Sequence, residues 1–205
     1  MGSSLPRSRS LPRLKPSVRP LTVEGVAMAL AVVSYPAIAK DDVDWIQSVR
    51  REHDHLFFSV VAPHFTIVFP TDGIAQSALI EHVTERVSVF HSFEVVFRCA
   101  IIGDPDFMSH AHAFLTPDEG FSDVVRLHDA LYTGPLAGEL RLDLPFIPHV
   151  GIASTPSLEE CKAIVDRLNE ERFEIRGRVD TLDVIGYDGT RVWNVHKCAL
   201  RRGSA

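Results

Sequence analysis

The chain has 205 residues, 45% hydrophobic and 23% charged, a composition that supports one core-bearing domain or two small fused lobes and holds no apolar run of membrane-spanning length. The net charge is −6 but unevenly spread: residues 1–27 hold five basic side chains against Glu24, leaving 16 basic and 26 acidic residues, a net −10, in the rest. A body that acidic excludes general binding of long duplex nucleic acid, whose affinity comes mainly from Lys and Arg, yet leaves room for a small nucleotide or an RNA 3' end in a local pocket.

Residues 1–27 are rich in Ser, Pro and Arg and have no apolar period, so they read as a disordered basic segment, a tag or a misassigned start ahead of Met28. Residues 28–205 read as one bilobal domain. A rival pattern exists: a basic stretch, then Gly25–Ala39 ending in Ala37-Ile38-Ala39, imitates a signal peptide. Cleavage after Ala39 would remove Met28–Tyr35, a continuous apolar run that suits a buried strand.

Asp41 or Asp42 can cap a helix over about Val43–Glu52, with Trp45, Ile46 and Val49 at helical spacing. Phe65–Phe69 reads as a strand ended by Pro70 and Asp72-Gly73. A helix follows over roughly Ala75–Val89, with Leu79, Val83 and Val87 on one face. Phe93–Ile102 is a strand stopped by Gly103-Asp104-Pro105, and His112–Leu115 is another, stopped by Thr116-Pro117-Asp118. A helix covers about Phe121–Tyr132. Val150–Ala153 is a strand, and Ser157 with Glu160 makes a capping box for a helix over Leu158–Arg172. Phe173–Tyr187, Asp188-Gly189 and Arg191–Leu200 read as a C-terminal hairpin.

A Pro-His pair, an apolar strand and a long helix occur twice, at Pro63-His64 and at Pro148-His149, each followed by further strands. This pattern repeat implies an α+β fold of two pseudo-symmetric lobes, each a mainly antiparallel sheet with helices on the outer side, facing each other across a cleft. Strand side chains alternate, so His64 and Thr66 point one way while Phe65 and Ile67 point into the lobe. His149 is placed similarly, but Gly151 stands where Thr66 stands in the first copy. Either histidine alone reads as structural; in matched contexts the two read as functional.

His64-Phe65-Thr66-Ile67 and His149-Val150-Gly151-Ile152, 85 residues apart, resemble the paired His-x-Thr/Ser motifs of the two-histidine phosphoesterase superfamily. The bacterial 2'-5' RNA ligase-like or RNA 2',3'-cyclic phosphodiesterase branch is similar in His112-Ala113-Phe114-Leu115, Leu127-His128, Leu131-Tyr132 and Pro145-Phe146-Ile147-Pro148-His149 as well. The resemblance spans about Met28–Arg201. It implies a metal-independent phosphodiesterase with no cofactor, in which one histidine activates water and the other protonates the leaving ribose oxygen. Acid and base stay interchangeable at this level. Thr66 would stabilise a phosphoryl oxygen. Gly151 departs from the family's Thr or Ser, which leaves either altered catalysis or a nucleotide-binding protein of the same fold.

Several residues carry second readings. His112 is either a cleft residue or a sheet histidine. Tyr132, Trp193 and Arg191 are candidate substrate contacts, through base stacking or phosphate pairing. His110 with His112 could ligate a metal, as could His53 with His55, but neither pair has further ligands at a known spacing. The segment Glu52-His53-Asp54-His55 reads as a solvated helix end. Cys99, Cys161 and Cys198 show no CxxC spacing, which points to free thiols in a reducing, cytoplasmic compartment.

Overall fold

The computed structural model describes residues 28–103 and 107–202. The expected basic segment 1–27 and the turn residues Asp104 and Pro105 lie outside the described residues. Among the described residues the strands are β1 (Ala29–Ser34), β2 (Ala37–Ile38), β3 (Phe65–Thr71), β4 (Phe93–Ile102), β5 (Ala111–Glu119), β6 (Val150–Thr155), β7 (Ile175–Val179), β8 (Thr181–Tyr187) and β9 (Val192–Ala199). The α-helices are α1 (Lys40–His53), α2 (Gln76–Val87), α3 (Phe121–Leu131) and α4 (Leu158–Glu170). No helix among the described residues is long and apolar enough to cross a membrane.

The strands form two antiparallel sheets, ordered β3-β1-β8-β9 and β2-β7-β4-β5-β6. The fold is therefore the expected bilobal α+β arrangement. Each Pro-His segment leads into an edge strand: β3 borders the four-stranded sheet and β6 the five-stranded one. The helices are exchanged between halves. α1, which precedes β3, packs on β6, whereas α3, which follows β5, packs on β3. Alternation along each strand sends Leu30, Val32, Phe65, Ile67, Leu182 and Val184 of one sheet into a core shared with Val95, Phe97, Leu115, Val150 and Ile152 of the other. The Phe65 and Phe97 rings stack at 5.7 Å and join the two halves of that core.

Several boundaries differ from expectation for identifiable reasons. α1 starts at Lys40 after Ala39, which supplies no side-chain cap. Asp41 and Asp42 lie inside the first turn, where carboxylates favour the positive helix end without capping it. Pro70 does not end β3, because an edge strand tolerates a residue that lacks an N–H. Pro117 likewise sits within β5, at an irregularity in the β4 pairing and beyond the last pair with β6, Leu115 with Val150. The expected strand Phe173–Tyr187 breaks at Asp180, where the chain passes from one sheet to the other, so only β8 and β9 form the hairpin.

The α4 start behaves as its sequence suggests, on one side of the box: the Glu160 N–H donates to Ser157 Oγ at 3.2 Å. The Ser157 hydroxyl itself donates to Glu159. Ser157→Ala removes the side-chain acceptor at this N-cap, and urea denaturation should show the protein destabilised by about 1 kcal/mol.

Candidate active site

His64 and His149 each stand one residue ahead of their strand, directly after proline. Proline holds its predecessor extended and presets the entry angle of the chain. The two imidazoles make the same local bond. His64 Nδ1 lies 2.8 Å from the Ala62 carbonyl oxygen and His149 Nδ1 lies 2.6 Å from the Ile147 carbonyl oxygen. A carbonyl only accepts, so Nδ1 carries the proton in both rings and each neutral ring presents an unprotonated Nε2. His64 Nε2 meets Thr66 Oγ1 at 3.1 Å, the pairing expected from strand alternation. The donor in that contact is the threonine hydroxyl.

Both rings are partly exposed, yet protein crowds them enough that desolvation dominates their titration. His64 is pushed down to about 4, mainly by burial; the Ala62 hydrogen bond opposes this, Arg50 lowers it further and Asp54 raises it. His149 is also pushed down to about 4, again mainly by burial, with the Ile147 bond opposing and the charges of His64 and His112 adding to the fall. His64 and His149 are thus near enough to repel one another when charged. In the ligand-free protein both are neutral at pH 7.

The surroundings of the two rings are unequal. His149 stacks on Phe114, ring centroids 3.6 Å apart and planes 13° apart. Phe114 pairs across the β5–β6 ladder with Gly151. A Cβ placed on Gly151 would meet no atom within 4 Å, so this position faces open space where Thr66 places a hydroxyl in the other half. His112 is buried behind this pair, its ring 6.2 Å from Phe114 and 6.3 Å from Phe57. It belongs to the wall of the site rather than to its open surface. Tyr35 borders the opposite side, its ring 6.0 Å from His64.

Other expected residues lie elsewhere. Tyr132 caps α3 in the core, 7% exposed, and its hydroxyl accepts from the Phe69 N–H at 3.0 Å. Its ring faces that of His128, centroids 4.7 Å apart. Trp193 packs on Gly186, and Arg191 lies over the indole. His110 bonds the Met108 carbonyl, and among the described residues no group of three His, Cys, Asp or Glu side chains converges to hold a metal. The helix end at Asp54 is not a solvated terminus: Asp54 is buried and paired with Arg50. Phe114 and Asp54 escaped the sequence reading. Period-2 alternation from His112 was enough to find Phe114, and the i,i+4 spacing of Arg50 and Asp54 was the signal for their pairing. A surface hollow lined by Ile102, Leu158, Glu159, Lys162, Ala163 and Asp166 includes neither histidine.

Comparison with known proteins bears on the fold and the family. E. coli LigT complexed with 3'-AMP has a TM-score of 0.56 and 14% identity, covering 84% of this chain and 98% of its own. The NADP+ complex of the same protein scores 0.54 at 14% identity, covering 85% and 99%. TT0787 of Thermus thermophilus scores 0.54 at 12% identity, covering 86% and 100%. These likenesses establish the fold. No curated protein matches the sequence. Residues 36–191 match the family described as the 2'-5' RNA ligase superfamily, and the chain belongs to that two-histidine phosphoesterase family.

Proposed function

We propose that the chain is a metal-independent phosphodiesterase that opens 2',3'-cyclic phosphates on RNA 3' ends or small nucleotides, with His64 and His149 as its acid–base pair. The observation that carries this reading is the matched pair of imidazoles, each fixed through Nδ1 and each presenting Nε2, close enough to influence one another's charge. E. coli LigT complexed with 3'-AMP and with NADP+ supports a nucleotide as the ligand class. Three free cysteines among the described residues fit a reducing, cytoplasmic setting.

The chemistry balances with these groups alone. One Nε2 takes a proton from water as its oxygen bonds to phosphorus. The opposite imidazolium gives its proton to the ribose oxygen as the P–O bond breaks, leaving a phosphomonoester and a free hydroxyl. When substrate binds, the Thr66 hydroxyl turns from His64 Nε2 to a non-bridging oxygen and donates to it as charge builds. The same forward sequence, with an RNA 5'-hydroxyl in place of water and the 3' oxygen as leaving group, forms a 2'-5' phosphodiester and is ligation. A second reading, a nucleotide-binding protein of reduced turnover, is favoured by Gly151 alone.

The acid is absent at pH 7 in the free protein, because both pKa values lie near 4. An anionic phosphate between the rings favours protonation and supplies it on binding. The apparent values belong to the coupled pair rather than to one ring.

Three outcomes follow on a 2',3'-cyclic nucleotide. His64→Ala and His149→Ala should each lower kcat by about 10²–10⁴ in steady-state assays. Hydrolysis equal to wild type in both variants would remove this reading. The kcat/KM profile, which reports the free enzyme, should rise roughly tenfold per unit as pH falls from about 7 toward about 5 and turn over near 4, while kcat peaks at higher pH. Gly151→Thr fills open space in a strand, so it should keep or raise the melting temperature and raise kcat by about tenfold or more by adding a second phosphoryl donor.

A further inference from the structure

Arg50, at the end of α1, is 2% exposed, and every contact of its guanidinium is internal. Nε donates to Asp54 Oδ2 at 3.0 Å and Nη1 to Gln47 Oε1 at 3.1 Å. Nη2 reaches two backbone carbonyls, Phe57 at 3.0 Å and Val61 at 2.8 Å. Val61 immediately precedes Ala62, whose carbonyl receives His64 Nδ1. The guanidinium therefore holds both ends of the turn that delivers His64.

Asp54 extends the cluster to the other histidine strand. Its Oδ1 accepts from the Phe57 N–H at 3.1 Å and from the Ser154 hydroxyl at 2.8 Å. Ser154 is fully buried on β6, the strand that His149 enters, and its Oγ accepts from the Leu56 N–H at 2.9 Å. Ser154 also pairs across the ladder with His112. A buried ion pair is a poor source of stability, since desolvation offsets most of its attraction. Its geometric specificity is another matter: the guanidinium fork meets carbonyls in fixed directions.

We propose that Arg50, Asp54 and Ser154 form a positioning unit that ties the His64 turn to the His149 strand and sets the spacing and electrostatic balance of the two imidazoles. These residues touch no reacting atom, and the inference rests on the two-histidine reading of the site. The unit links two edge strands that belong to different sheets and share no ladder hydrogen bonds. It also places a cation and an anion beside His64, with opposite effects on that ring.

The test combines histidine titration by NMR with steady-state hydrolysis of a 2',3'-cyclic nucleotide, on the full chain. Asp54→Asn leaves the Arg50 charge without its counter-ion, so the His64 titration should move to lower pH. Ser154→Ala removes one hydroxyl without changing charge. It should leave the His64 titration in place and lower kcat about tenfold, with KM within about twofold and the far-UV spectrum unchanged. If Asp54→Asn does not fold, the Ser154→Ala split between kcat and KM decides. A wild-type His64 titration in folded Asp54→Asn, or wild-type kcat in Ser154→Ala, overturns the proposal. Absence of hydrolysis by the wild type defeats the phosphodiesterase reading instead, and the titration arm then judges the positioning unit by itself.

Discussion

His64 and His149 donate from Nδ1 to the carbonyl two residues upstream, at 2.8 and 2.6 Å, and the character of the candidate site follows from that bond. It fixes the tautomer, orients the ring and leaves Nε2 as the reactive edge. It needs an extended approach to each strand, which the preceding proline provides. The same crowding that holds the rings also removes water from around them, and both pKa values fall to about 4. Orientation and low basicity are therefore two consequences of one packing arrangement, and in the proposed reaction a bound anion would bring the pair into its working protonation state.

A local bond places each ring on its own strand, but the relation between the strands is a property of the whole core. β3 and β6 are edges of separate sheets. Exchange of α1 and α3 between the halves, with the Phe65–Phe97 stack between them, makes one continuous interior instead of two. At the candidate site that interior turns polar, with Arg50, Asp54 and Ser154 satisfying one another where backbone ends would otherwise lack partners.

The two halves are alike in backbone and unlike in chemistry. Thr66 holds His64 by a hydroxyl; Phe114 holds His149 by a ring face, and Gly151 leaves an open place beside it. Hydroxyls bond a phosphoryl oxygen, whereas an aromatic face restrains an imidazole without binding charge. In the proposed reaction the cost of Gly151 would fall on transition-state stabilisation, since open space stands there in place of a hydroxyl.

Much of this was present in the sequence. Apolar runs and helical spacing located most elements, because burial writes a period of about 2 or about 3.6 into the residues. The two Pro-His pairs marked the histidines, since proline acts on its immediate neighbours. Tertiary structure decided what depends on distant partners. Tyr132 reads from the sequence as a candidate substrate contact, and its burial at the end of α3, with its hydroxyl on the Phe69 N–H, depends on partners far along the chain. Glu52-His53-Asp54-His55 read as a solvated helix end, but β6 closes over Asp54 with Ser154, 100 residues away. The break at Asp180 was invisible because both flanking segments alternate alike and only the change of sheet separates them. Residue identity determined which side chains are available for chemistry; the single core that joins the two sheets determined that His64 and His149 lie within electrostatic reach of each other, because that relation is encoded by no local period.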